Sequence, residues 1–148
     1  MRKFVLVMVA AVAMTAFAQQ TAQKPADSLY KRLGGYDAIA AVTDDFLGRL
    51  VADPQLKRFF VGFSNDSKQR IRQHTVNFLC KATGGPCEYN GRDMKTVHTG
   101  VGITEEDWNL SVKHLEATLD KFKVPARERQ EVLAAIGGLK GDIVEAKK

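Results

Sequence analysis

The sequence lacks the cysteine patterns that would assign it to a redox or zinc-binding class. It contains two cysteines, Cys80 and Cys87, and no C-x-x-C pair. A thioredoxin-like dithiol is therefore not expected, and the spacing matches no usual structural zinc site. In an exported protein the two thiols can pair, because that compartment is oxidising. The residues alone leave a disulfide, two unreactive thiols and a redox function open.

The sequence also lacks long runs of like charge and the alternating pattern of β-strands. Its net charge is +5, with basic and acidic residues interspersed along the chain. A mild, distributed charge does not indicate a nucleic-acid-binding surface, so no nucleic-acid partner is expected. Apolar residues recur instead at helical spacing. These features favour an all-α fold.

The N-terminus has no apolar run long enough for a comfortable membrane span. Two basic residues precede an uncharged run from Phe4 to Phe17, which is shorter than the roughly 20 residues of a transmembrane helix. An A-x-A cleavage site ends at Ala18, so we predict a signal peptide over residues 1–18. An uncleaved N-terminal anchor is the alternative. Cleavage predicts an exported, periplasmic protein without stable membrane insertion, in which residues 19–27 form a flexible lead-in.

Residues 28–148 are predicted to form one helical domain. Apolar positions step by three and four between Tyr36 and Val51, which predicts a helix there. A second long helix runs to about Ala82, with Asp66 or Ser67 as its candidate N-cap.

The C-terminal half continues the helical pattern. A short helix carries Met94, His98 and Val101, and the sequence from Thr104 resembles a capping box that opens a long helix. Pro125 suits the first turn of a last helix.

Two of the three histidines lie on apolar faces of predicted helices. His74 is three residues after Ile71 and four before Phe78, so it lies on or beside the face that those two residues share. His98 follows Met94 on the short helix. Neutral imidazole binds iron, zinc and copper, so two such helices can sandwich a flat cofactor. Burial of both histidines as ordinary core residues is the alternative.

The cysteines and the large apolar residues bear on whether the histidines bind zinc or haem. A zinc site would draw on His74, Cys80, Cys87 and His98, whose spacing fits no usual pattern. Covalent attachment of a c-type haem needs C-x-x-C-H, which is absent, so any haem would be held by ligation and packing. The large side chains able to enclose a porphyrin, or else to pack against each other, are Phe46, Leu47, Phe60, Phe78, Leu79 and Met94.

The chain resembles the group 1 truncated haemoglobins, which are shortened globins with a two-over-two helical sandwich. The matching stretches are LYKRLGGYDAI, VADPQLKRFF, ATGGP, MKTVHTGVGIT, HLEATL and VP. They cover the chain from Leu29 to about Ile143. The glycine pairs at 34–35 and 84–85 carry much of the specificity, because they allow the sharp turns of a shortened globin.

The resemblance implies a non-covalently bound haem b with His98 as the axial ligand to iron. It places Arg70 near the haem propionates, where a cation is favourable; a solvated arginine on the helix face is the alternative. His114 is interpreted as structural or surface-exposed, and Trp108 as a core residue. The remaining residues that the resemblance places around the haem are Phe46, Leu47, Phe60, Ile71, His74, Thr75, Phe78, Leu79 and Met94.

Two positions depart from the family pattern. Leu47 stands where many members have a tyrosine, and Thr75 stands where many have glutamine. The hydrogen bonds that these residues donate to bound oxygen are therefore in doubt. Some members have a histidine at position 74 that binds iron as a sixth ligand, and our first expectation is that His74 does so. Our second is that His74 hydrogen-bonds O2 or lies at the haem edge.

The resemblance implies reversible binding of O2 and of other diatomic ligands, NO and CO. The alternative is an exported haem redox protein in nitric-oxide or peroxide detoxification or in electron transfer, with an electron-donor protein as partner. The sequence does not establish an enzyme, and it leaves nitric-oxide dioxygenase and peroxidase-like activities open.

Overall fold

A computed structural model describes residues 27–145 of the chain. The signal peptide and most of the predicted lead-in lie outside the described residues, so both remain predictions. Every regular element within residues 27–145 is a helix, which confirms the all-α prediction. The elements are α1 (Leu29–Arg32), α2 (Gly35–Ala52), a 3-10 helix (Leu56–Phe60), α3 (Asn65–Ala82), α4 (Met94–His98), α5 (Glu105–Lys121), α6 (Ala126–Gly137) and α7 (Lys140–Ile143).

Side-chain caps fix where several helices begin. Thr104 and Asp107 form the expected capping box at α5, because each side chain bonds the other's backbone N–H. The predicted cap of α3 was wrong: Ser64, not Asp66 or Ser67, accepts a hydrogen bond from the Ser67 N–H. Serine and aspartate are both good caps, and the earliest of the three residues caps the helix here because the helix begins at Asn65.

The packed core lies between α2 and α3. Ile39, Val76 and Cys80 are buried there, and Leu79 packs against them. Cys80 forms a disulfide with Cys87, with the Cα atoms 5.8 Å apart, a usual separation for such a bridge. Of the three states left open by the sequence, the structure therefore has the disulfide.

Asp45 connects α2 to α5. Its carboxylate accepts hydrogen bonds from Lys121 at 2.5 Å, from Arg49 at 2.7 Å and from Thr118 at 2.8 Å. These bonds, that of Lys121 foremost, hold the pKa of Asp45 well below its usual range. The two helices that frame the interior are thus fixed relative to each other.

Arg32 connects the start of the domain to its end. Its guanidinium donates to Glu128 on α6 at 2.9 Å and also to Glu131. The pKa of Glu128 is lowered, mainly by the hydrogen bond from Arg32. This contact joins α1 to a helix almost one hundred residues later, and it is half-buried.

None of the helices between residues 27 and 145 combines the length and the apolar character that crossing a membrane would need.

Candidate functional site

A cavity of about 750 Å³ opens beside the α2–α3 core. This volume is in the range of cofactor sites, roughly 300–1,000 Å³. Its wall is mostly apolar and draws on α2 to α7 and on the 3-10 helix. The predicted site residues that line it are Phe46, Leu47, Phe60, Ile71, His74, Thr75, Phe78, Leu79, Met94 and His98.

Arg70 is the one predicted site residue that the structure does not bring to the cavity. Its side chain is exposed on α3, 3.5 Å from the Ser67 hydroxyl. The helix turns about 100° per residue, and this turn leaves Arg70 on the solvent side of α3, whereas Ile71, His74 and Thr75 line the cavity. Arg92, in the loop before α4, is the arginine that lines the cavity.

His98 is the last residue of α4 and has a fixed orientation. Its Nδ1 lies 2.7 Å from the carbonyl oxygen of Met94. A carbonyl can only accept a hydrogen bond, so Nδ1 carries the proton and donates it. In the neutral ring Nε2 then keeps its lone pair, which is the form of imidazole that binds a metal.

The short α4 is held at both ends. Asp93 caps its start by accepting from the Thr96 N–H at 2.9 Å and from the Thr96 hydroxyl at 2.7 Å. The helix ends at His98, three residues before the predicted limit at Val101, because Gly100 takes a positive φ of 84°. These caps let a five-residue helix hold its histidine without the length that an isolated helix needs.

Glu145 stabilises the segment that follows His98. Its carboxylate accepts hydrogen bonds from the Gly100 N–H and, at 3.1 Å, from the Gly102 N–H. Its own N–H donates to the Ile103 carbonyl at 2.9 Å. The chain after α7 therefore helps to fix the loop that leaves α4.

His74 lies on the long α3 and has no hydrogen bond to any group in residues 27–145. Its ring meets that of Tyr89 at 84°, with the centroids 6.1 Å apart. Phe78, one helical turn along α3, meets the same tyrosine at 75° and 5.3 Å. His74 is therefore oriented by an aromatic contact, whereas His98 is oriented by a hydrogen bond.

The side chains near His74 offer few hydrogen-bond donors to the cavity. Leu47 and Ile71 have none. The Thr75 hydroxyl donates to the Ile71 carbonyl one turn back, at 2.8 Å, so its proton is already committed. This geometry agrees with the expectation that Leu47 and Thr75 donate no hydrogen bonds to a bound ligand.

Several residues that line the cavity were not predicted from the sequence. Tyr89 and Arg92 lie in the loop between α3 and α4, where no periodicity marks an inward-facing residue. Asn90-Gly91 was a turn signal beside an aromatic residue, and that pairing was the available clue. Trp108 is buried, as predicted for a core residue, and it also lines the cavity.

His114 lies outside the cavity wall and has a structural role. Its Nε2 is 2.9 Å from Asp53 Oδ2. This contact is the main cause that lowers the pKa of Asp53. The link joins α5 to the turn after α2.

The donor set of the cavity fits haem better than zinc. Within the described part of the chain, no group of three or more His, Cys, Asp or Glu side chains could hold a metal ion. Cys80 and Cys87 bind each other, so neither sulfur is a thiolate ligand. Two imidazoles on a large apolar wall suit a flat ring that supplies the other four ligands to its metal.

Comparison with known proteins agrees with this assignment. The sequence profile of the bacterial-like globins matches residues 28–145. The group 1 truncated hemoglobin GlbN of Mycolicibacterium paratuberculosis is 39% identical over 116 residues, 78% of this chain and 83% of that protein.

Two solved structures show the same fold. The truncated hemoglobin of Tetrahymena pyriformis in its Fe(III) form has a TM-score of 0.73 at 26% identity, and the match covers 81% of this chain and all of that one. The 2/2 hemoglobin of Synechococcus sp., described in the cyanomet state with covalently attached heme, also has a TM-score of 0.73, at 28% identity over 80% of this chain and 98% of that one. The chain belongs to the bacterial-like globin family as a group 1 truncated haemoglobin, and its cofactor is haem b.

Proposed function

We propose that this protein binds O2, NO and CO reversibly at the iron of a non-covalently held haem b. The observation that carries the proposal is His98, whose Nδ1 donates to the Met94 carbonyl at 2.7 Å inside an apolar cavity. A bound haem would supply an iron that can take a diatomic ligand. The protein contributes the histidine, its orientation and a wall that excludes water.

His98 is proposed as the proximal ligand to iron. The hydrogen bond to Met94 fixes its tautomer and ring direction, as the outer partners of metal-binding histidines commonly do. Asp93 and Glu145 support the segment on either side. Arg92, at the cavity wall, is proposed to attract the haem propionates, a role first expected of Arg70.

His74 is proposed as the sixth ligand to iron when no diatomic ligand is bound. Its ring lies on the cavity wall and lacks a hydrogen-bond partner in the described residues. A ligand of this kind must leave before an external ligand binds, so it slows binding. The second hypothesis is that His74 hydrogen-bonds a diatomic ligand or lies at the haem edge.

A redox role is the alternative function, in nitric-oxide or peroxide detoxification or in electron transfer from a donor protein. The observation that favours it is the scarcity of donors at Leu47, Ile71 and Thr75. Stable O2 storage benefits from such donors, whereas electron transfer at an iron held by two histidines would not need them. Turnover of NO or peroxide with a supplied reductant would favour this alternative.

Export to the periplasm is proposed as the location, after cleavage behind Ala18. Its support is the basic and apolar N-terminal sequence together with the Cys80–Cys87 disulfide, since such bridges persist in oxidising compartments. Mass spectrometry of the purified periplasmic protein should find Gln19 at its N-terminus. An intact Met1 would contradict this proposal.

Absorption spectra of the ferric and ferrous protein, with and without CO, test the ligand assignment. We expect a low-spin ferrous spectrum with split visible bands, which CO replaces slowly. His74→Leu should give a five-coordinate ferrous haem and rapid CO uptake. Gln73→Leu is the matched control, since Gln73 is exposed on the same helix and bonds Tyr36 and Asn77 instead.

The outcomes separate the two hypotheses for His74. A five-coordinate ferrous spectrum in the unmodified protein would overturn ligation by His74 and leave His98 as the sole protein ligand. A colourless preparation after incubation with haem would overturn haem binding by this chain altogether.

A further inference from the structure

Tyr89 is positioned to control His74. Its ring lies nearly perpendicular to those of His74 and Phe78, with centroid distances of 6.1 and 5.3 Å. His74 and Phe78 are four residues apart, so they are neighbours on one face of α3. One ring from the loop therefore rests against two rings of the helix.

The far end of Tyr89 is also fixed. Its hydroxyl donates to the Arg92 carbonyl at 2.6 Å. A Cβ at Gly91 would lie 2.4 Å from the tyrosine oxygen, and the loop can follow this path because that residue is glycine.

The disulfide holds the loop that carries Tyr89. Cys87 is two residues before the tyrosine, and Cys80 is fully buried two residues after Phe78. The Gly85 N–H donates to the Cys80 carbonyl at 2.8 Å. A side chain at Gly85 would collide with both Tyr30 and Cys80 at less than 3 Å. The start of the loop is thus bound tightly to the same helix that carries His74.

We propose that Tyr89 is a positioning residue for His74, and that the Cys80–Cys87 disulfide holds it in that position. The inference rests on the proposed ligation of iron by His74. An imidazole free to sample several rotamers loses entropy when it binds iron. The contact with Tyr89 restricts those rotamers beforehand, which favours the six-coordinate state and slows entry of an external ligand.

The experiment measures the ferric and ferrous spin state and the rate of CO binding in the haem-loaded protein. Tyr89→Leu should raise the five-coordinate fraction and speed CO binding about 2- to 10-fold, the factor that an aromatic contact typically contributes. Tyr89→Phe keeps the ring contact but loses the hydrogen bond to the Arg92 carbonyl, so it should fall between the unmodified protein and Tyr89→Leu. Glu88→Ala, an exposed neighbour, is the matched control.

A double-mutant cycle with His74→Leu assigns the effect to His74. In the His74→Leu background, Tyr89→Leu should no longer change the CO rate. An equal acceleration in both backgrounds would overturn the proposal, since Tyr89 would then act on access to the cavity. An unchanged rate for Tyr89→Leu beside a fast His74→Leu would overturn the positioning role alone, whereas an unchanged His74→Leu would overturn the ligation itself.

The disulfide is tested by replacing Cys80 and Cys87 together with alanine, which avoids adding a reductant that also reacts with haem. We expect the same direction of change as for Tyr89→Leu, and little further change when the variants are combined. A double-alanine protein that binds haem with unchanged spin state and CO rate would overturn the role of the bridge.

Discussion

The two histidine-bearing sides of the cavity are built differently. His98 ends a five-residue helix whose start is capped by Asp93, and its ring is held by a hydrogen bond to Met94. His74 lies within an 18-residue helix, yet its ring has an edge-to-face contact with Tyr89 and no hydrogen bond among residues 27–145. The shorter helix, α4, thus carries the histidine whose ring is held more firmly. A hydrogen bond sets the direction of an imidazole more strictly than a ring contact does, so we expect one permanent and one displaceable ligand.

The largest effect should follow from removing the fixed histidine. His98→Gly is expected to lower haem retention more than about 100-fold, since even outer partners of metal ligands are worth about 10- to 100-fold. Haem content after gel filtration measures this loss. Added imidazole should restore binding, and Lys95→Ala on the same helix should retain haem. A His98→Gly protein that keeps its haem without imidazole would remove the distinction between the two sides.

The next prediction concerns His74 under the same assay. His74→Leu should keep haem within about tenfold of the unmodified protein, because His98 and the apolar wall remain. The haem contents of His98→Gly and His74→Leu, compared directly, measure how unequally the two histidines hold the haem. Equal loss in both would show that neither ligand is dispensable.

A third prediction concerns Asp107, which accepts hydrogen bonds from Thr104 at the start of α5. Burial alone would raise the pKa of this carboxyl, but hydrogen bonds from Gln55, Thr104 and Arg58 lower it to about 2. Asp107→Ala should cost about 2–4 kcal/mol of unfolding free energy, because it leaves those donors unpaired. Urea unfolding at fixed haem concentration measures this cost, with the exposed Glu106→Ala as control.

The same residue predicts a pH dependence of stability. A folded pKa of about 2 lies below the unfolded value of about 3.9. Its stabilisation is therefore complete above about pH 5 and is lost as the pH falls through 4 towards 2. The thermal midpoints of the Asp107→Ala and unmodified proteins should converge over this window. A constant difference down to pH 2 would contradict the assignment.

The smallest effect is expected from the cap of α4. Asp93→Ala removes the acceptor for the Thr96 N–H and hydroxyl, at a cost of about 1 kcal/mol. The orientation of His98 should loosen, so haem transfer to an acceptor apoglobin should quicken a few-fold. Asp93→Asn keeps a capping oxygen and should remain near the original rate. An effect as large as that of His98→Gly would mean that α4 does not fold without its cap.

Sequence reasoning recovered the side of the site that is periodic and missed the side that is not. His74, Thr75 and Phe78 follow from the helical repeat of α3, because facing the interior is then a matter of spacing. Tyr89 and Arg92 line the cavity from a loop whose path depends on Gly91 and on the disulfide. Such a path is a property of tertiary packing, which spacing does not encode.

Helix ends show the same limit on a smaller scale. The capping box at Thr104 was predictable because its two partners occupy fixed positions. The cap of α3 was not, since Ser64, Asp66 and Ser67 all suit that role. The end of α4 depended on a left-handed glycine at position 100, and a glycine permits that conformation without requiring it.

The contact of Arg32 with α6 bears on the order in which the chain can become a closed domain. Its partners, Glu128 and Glu131, are 96 and 99 residues further along. A chain that emerges from its N-terminus must therefore present nearly the whole sequence before this link closes. Contacts of such separation form late, because the loop between them must first be ordered.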